Sequence, residues 1–207
     1  MKAYQIFCPD APKKNRSEAA LRGLFREGFE RFPGWFRTWD IPGIRHDPEP
    51  NATHLTAGEF CCTAGHLAIW SKIAASGRGA FVFEDDAIPR VTAGLHAALT
   101  EVSKMPLDLI YLQGNGVNER PFRWPIGWKS GSPEWSTMAY WVSHRSAARL
   151  VEDAQGRVWS VADWQLPETA RRLRMSIIRC SQNLFESSGG SLLDEERNAR
   201  NLAVKKP

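Results

Sequence analysis

Long apolar runs are missing from this chain of 207 residues. No stretch approaches the ~18 uninterrupted apolar residues that a membrane-spanning helix needs. The opening Met1-Lys2-Ala3-Tyr4-Gln5-Ile6-Phe7-Cys8-Pro9 also lacks the apolar core of ~7–15 residues that marks a secretory signal. These absences lead to the expectation of a cytoplasmic protein. Cysteine is scarce as well. Cys8, Cys61, Cys62 and Cys180 are scattered, and the adjacent pair lacks the two-residue gap of zinc ligands, which argues against a structural zinc centre and for reduced, mostly buried thiols. Charge of one sign does not dominate either. The net charge of +4 is too small to mark nucleic-acid binding by itself, although it suits an anionic ligand such as a nucleotide diphosphate.

Apolar residues, in contrast, make up 43% of the chain, enough for the core of one domain. Tryptophan is plentiful: six of the nine, Trp124, Trp128, Trp135, Trp141, Trp159 and Trp164, follow residue 120. Trp124 to Trp135 fall in a stretch rich in Gly, Pro and Ser, where flat rings either pack a long loop onto the body or stack on sugars and bases. A segment of this length without evident structure, 114–135, reads as a candidate lid.

Strand and helix patterns alternate along the chain. A strand over 3–8 is followed by a helix from Ser17, its N-cap, to about Arg31, and then by a strand over Trp35–Ile41. Thr56-Ala57-Gly58-Glu59 reads as a capping box opening a helix that Gly77 ends. The apolar tetrad Ala80-Phe81-Val82-Phe83 reads as a strand buried on both faces. Further patterns place helices over about 92–103, 145–153 and 163–173, with Ser143 capping the second. The remaining strands fall at 108–113, 137–142 and 174–180. The sum is an α/β domain with a central sheet flanked by helices, covering 1–186, followed by a Gly/Ser-rich and then charged tail over 187–207 that is expected to be mobile.

Glu84-Asp85-Asp86 follows the buried tetrad directly. In open α/β sheets ligands bind beyond the carboxyl ends of the strands. Strand alternation would send Glu84 and Asp86 to one side and Asp85 to the other. Like charges so placed repel unless one is protonated or a cation compensates them. A hard divalent cation, Mn²⁺ or Mg²⁺, with oxygen ligands and substrate phosphates would answer that need. A solvated acidic loop paired with arginines explains the same residues without a metal.

Three blocks around the triplet resemble glycosyltransferase family 25, which includes lipopolysaccharide and collagen galactosyltransferases. They are Leu55–Trp70, with Thr56, Gly58-Glu59, Cys62 and His66; Val82–Ala87, with the acidic triplet; and Ala139–Leu150. Val161–Pro167 is a softer match. The sequence departs from the family pattern at Cys61 and at Gly65, where the family has Gly and Ser. The resemblance implies a GT-A-like fold with a mixed, mostly parallel sheet and a nucleotide-sugar donor, commonly a UDP-sugar. It further implies Mn²⁺ or Mg²⁺ as cofactor and inversion at the anomeric carbon. Read this way, Glu84 and Asp86 bind the metal, Asp85 contacts the donor, and Asp163 is the base that takes the acceptor hydroxyl's proton. Arg16, His66 and Gln113 complete the candidate donor site. Each has a plainer reading: Asp163 as a helix N-cap, His66 as a satisfied structural residue, and Arg16 as a solvated charge. The acceptor stays open between a glycan or lipopolysaccharide, a protein side chain and a nucleic-acid base. A metal-dependent phosphohydrolase or nuclease is the competing class.

Overall fold

The computed structural model describes residues 1–7, 15–35, 37–47, 55–90, 94–113, 128–130, 136–180 and 183–187, with only the backbone for Asn15, Arg16 and 128–130. Cys8, the flanks of the 114–135 segment and the tail beyond Ser187 lie outside these residues, as does the side chain of Arg16.

The chain runs β1 (Ala3–Phe7), α1 (Asn15–Phe25), a short 3₁₀ turn, β2 (Phe29–Pro33), β3 (Arg45–His46), α2 (Ala57–Ser76), β4 (Ala80–Phe83) and β5 (Ala87–Pro89). It continues through α3 (Leu95–Val102), β6 (Leu109–Tyr111), β7 (Trp128–Ser130), β8 (Ala139–Val142), α4 (His144–Ala154), β9 (Arg157–Val158), α5 (Ala162–Arg172), β10 (Ile177–Cys180) and β11 (Phe185–Ser187). Seven strands form the central sheet in the order β2-β1-β4-β8-β6-β10-β7. It is mixed and mostly parallel: β8 runs against both β4 and β6, and β7 against β10.

Alternation along the strands divides the core into two layers. Ala80, Val82, Leu109, Tyr111, Tyr140 and Val142 face one way, where they meet α2, α4 and α5. Phe81, Phe83, Ile110, Ala139 and Trp141 face the other, against α1 and α3. Because side chains on a strand alternate with period two, a tetrad such as Ala80–Phe83, wholly buried, must be covered on both faces.

The best-marked helix is capped as its sequence requires. Thr56 Oγ1 accepts from the Glu59 N–H at 3.2 Å, and Glu59 Oε2 accepts from the Thr56 N–H at 2.9 Å. Gly77 ends α2 at φ 67°, a left-handed value that glycine adopts freely. Ser143 caps α4 by accepting from the Ser146 N–H at 3.1 Å.

Four expectations fail. The first helix stops at Phe25 rather than near Arg31, because Gly28 lies against the Met1 carbonyl and Phe29 pairs with Ala3 as the start of β2. The described residues of 35–41 accordingly form no strand; Ile41 only bridges to Ile44. Ser17 lies inside α1 and ties it to the sheet: its hydroxyl donates to the Ala87 carbonyl at 2.5 Å and accepts from Gln5 Nε2 at 2.8 Å. Ser187, expected to begin a loose tail, is the last residue of β11, paired with Ala87 of β5. Among the described residues no helix is long and apolar enough to cross a membrane.

Candidate active site

At the carboxyl end of β4 the strand does not continue through the acidic triplet. The Ala87 N–H donates to the Glu84 carbonyl at 3.2 Å, closing a turn over Glu84–Asp86 before β5 begins. Strand alternation therefore does not set the directions of these carboxylates, which corrects the expectation drawn from period two. Glu84 reaches toward α2 and the entry to β8, while Asp86 accepts from Ser187 Oγ on β11 at 2.5 Å.

The antiparallel course of β8 brings its first residues to this same end. Thr137, just before β8 and almost fully buried, sits between two carboxylates. Its hydroxyl lies 2.6 Å from Glu84 Oε1 and 2.8 Å from Asp163 Oδ1, and its backbone N–H donates to Asp163 Oδ1 at 2.6 Å. A threonine hydroxyl has one hydrogen, so two acidic groups compete for one donor. Asp163 reaches the site from the first turn of α5. Val161 occupies the N-cap, and no side chain caps the helix, so the alternative reading of Asp163 as an N-cap does not hold. Thr137 escaped the sequence reading because a single threonine before a strand carries no local signal.

A second chain of contacts holds Glu84 from the opposite side. Trp70 Nε1 donates to Tyr140 Oη at 2.8 Å, and Tyr140 Oη lies 2.8 Å from His66 Nδ1. His66 Nε2 lies 3.2 Å from Glu84 Oε1. His66 is fully buried, so it acts on the site through Glu84 rather than from the cleft wall. Cys62, one turn earlier on α2, completes a trio whose ligand atoms with His66 and Glu84 lie within 4.8 Å of one another. A narrow cleft reaches this point, lined by Glu59, Cys62, Glu84, Thr137, Val161, Ala162 and Asp163.

The electrostatics follow from burial and crowding. Burial, reinforced by the charge of Glu84, raises the Asp163 pKa above its ordinary value despite the two hydrogen bonds from Thr137. Burial, with Glu84 next and Asp85 a smaller contributor, pushes Asp86 up to about 6. Cys62 is pushed up by burial and then by the surrounding carboxylates. Asp86 Oδ1 is buried with no hydrogen-bond partner among the described residues. Crowded, partly desolvated carboxylate oxygens, Asp86 Oδ1 among them, are of the type that could hold a hard cation.

The remaining candidates are dispersed. Asp85 is half-buried within the turn. Gln113, just beyond β6, accepts from Ser136 Oγ at 3.0 Å next to Thr137. Arg16 belongs to α1. Asp108 is structural: it joins α4 to the approach of β10, accepting from Ser146 Oγ at 2.6 Å and from the Ser176 N–H at 2.7 Å.

Comparison with known families finds a correspondence. Residues 40–125 match the family described as Glycosyltransferase family 25 (LPS biosynthesis protein). No curated protein matches the chain. The matched segment, less than half of the chain, holds α2, β4 and the acidic triplet, and it is similar to that family. Thr137 and Asp163 lie beyond it, as do Ala139–Leu150 and Val161–Pro167 of the wider resemblance.

Proposed function

We propose, from the assignment of residues 40–125 to glycosyltransferase family 25, that this chain transfers a hexosyl group from a UDP-sugar to a hydroxyl of a glycan or lipopolysaccharide acceptor, with inversion. The observation that carries the reading is the meeting of Glu84 and Asp163 on one threonine hydroxyl at the carboxyl end of the sheet. Two elements far apart in the chain thus deliver the carboxylates that the reaction needs into one cleft.

In this reading Asp163 is the base. As the bond between acceptor oxygen and anomeric carbon forms and the bond to the diphosphate breaks, the hydroxyl proton passes to the Asp163 carboxylate and UDP leaves. Burial beside Glu84 makes that carboxylate more basic than an exposed aspartate, in the direction a general base requires. Thr137 positions it through two contacts, and His66 and Thr137 together orient Glu84. Glu84 and Asp86 would hold Mn²⁺ or Mg²⁺, which neutralises charge building on a departing diphosphate. Asp85, Gln113 and Arg16 are assigned to the donor on position alone.

The test is thermal stabilisation across a panel of nucleotide sugars, with and without Mn²⁺. One UDP-sugar at ~100 times its dissociation constant should add about 2.7 kcal/mol, only with metal, and the gain should vanish in Asp86→Ala. Asp163→Asn should keep this donor stabilisation while turnover falls by about 10²–10⁴-fold. If no nucleotide sugar stabilises the protein under any metal condition, the reading fails.

A further inference from the structure

We infer that Cys62, His66 and Glu84 form a binding site for a soft divalent cation, Zn²⁺ foremost, with donors different from those of the carboxylate pair Glu84 and Asp86. A sulfur, a ring nitrogen and a carboxylate oxygen come together within 4.8 Å of one another. Ligands on a tetrahedral Zn²⁺, at about 2.0–2.3 Å from the ion, stand about 3.3–3.7 Å apart. The trio needs to contract by at most about 1.5 Å to close around an ion of that size.

The supporting geometry favours this reading over an accidental cluster. Cys62 and His66 lie four residues apart on α2, a spacing that puts both side chains on one face of a helix. That helix is fixed by its capping box at one end and Gly77 at the other. His66 is held through its far nitrogen, because Nδ1 lies 2.8 Å from Tyr140 Oη, itself held by Trp70. Metal-binding histidines are commonly oriented by such a contact on the second ring nitrogen. When Nε2 takes the cation, the ring carries its hydrogen on Nδ1, where Tyr140 Oη accepts it. Cys62 gives up its thiol proton to solvent as the sulfur–metal bond forms.

Access is provided as well. Cys62, Glu84 and Asp163 all line the cleft. The fourth position of a tetrahedral ion therefore opens toward a water or the Asp163 carboxylate. Thiolate and imidazole select Zn²⁺ and Co²⁺ over Mg²⁺ and Mn²⁺, which take oxygen ligands. Since both sites use Glu84, a soft cation at Cys62 and a hard one at Asp86 are alternatives. The soft-cation site stands without the transferase reading, and its test uses no sugar donor.

Titration of the full chain with Co²⁺ should give a thiolate-to-cobalt charge-transfer band in the near ultraviolet that survives excess Mg²⁺. Cys62→Ser should lose the band and weaken binding at least about tenfold, while its melting curve shows an intact fold. Should that variant not fold, alkylation of the wild-type protein decides. Zn²⁺ should protect the Cys62-containing peptide from modification, reversibly on chelation, and Mg²⁺ should not. Absence of both band and protection overturns the site. So does a band that persists in Cys62→Ser, since the sulfur would then come from another cysteine, or equal protection by Mg²⁺.

Discussion

Asp86 shows how a single residue can be held at a cost to stability. Its folded pKa of about 6 lies above the ordinary 3.8 of an unfolded aspartate, chiefly through burial and then the charge of Glu84. The sign follows directly. Folding favours the protonated acid, so the stability from this group is full below about pH 4 and is lost as pH rises through about 6. Asp86→Asn removes the penalty. In the absence of metal the variant should therefore be more stable than the parent by about 1–3 kcal/mol at pH 7.5 and no more stable at pH 4. Melting curves across that range check this, and equal melting at pH 7.5 would count against the strained carboxylate. Added Mn²⁺ should narrow the difference by stabilising the parent alone.

Between neighbouring elements, local chemistry decided what the sequence could disclose. Thr56 and Glu59 cap α2 through contacts three residues apart, and Ser143 does the same for α4, so both starts are readable from a few letters. Thr56→Ala should cost about 1 kcal/mol, visible as a lower urea midpoint at unchanged slope. A change below about 0.3 kcal/mol would mean that packing of α2, not its cap, holds that end. The end of α1 was not readable, because the cause is distant: the Met1 carbonyl lies where a Cβ on Gly28 would go, and Phe29 is claimed by Ala3. The site divides in the same way. Glu84–Asp86 stood out as a run of acids after an apolar strand, and Asp163 came through the family resemblance. Thr137 was invisible because its meaning arises only when Glu84 and Asp163 meet it, 53 and 26 residues away in sequence. Helical spacing already put Cys62 and His66 on one face, but their pairing as cation ligands emerges only when Glu84 joins them.

For the molecule as a whole, one sheet separates two cores, and each depends on it. Leu150 lies in the core beneath α2, α4 and α5, and Leu99 in the core beneath α1 and α3. Leu99→Ala and Leu150→Ala should each cost about 2–5 kcal/mol. Without shared contacts, the double variant should reach their sum to within about 0.5 kcal/mol. Urea unfolding followed by tryptophan fluorescence and by circular dichroism should give coincident curves, whereas two separate transitions would show that the layers fold independently. The place of β8 has a further consequence during synthesis. β8 alone joins the β2-β1-β4 half of the sheet to the β6-β10-β7 half, yet it follows β4 in the chain by more than fifty residues. At ~5–20 residues per second, a ribosome leaves the apolar edge of β4 without its neighbour for several seconds. In that interval the nascent chain carries an open slot that a strand from another polypeptide could fill, and the cleft forms only once Asp163 has emerged.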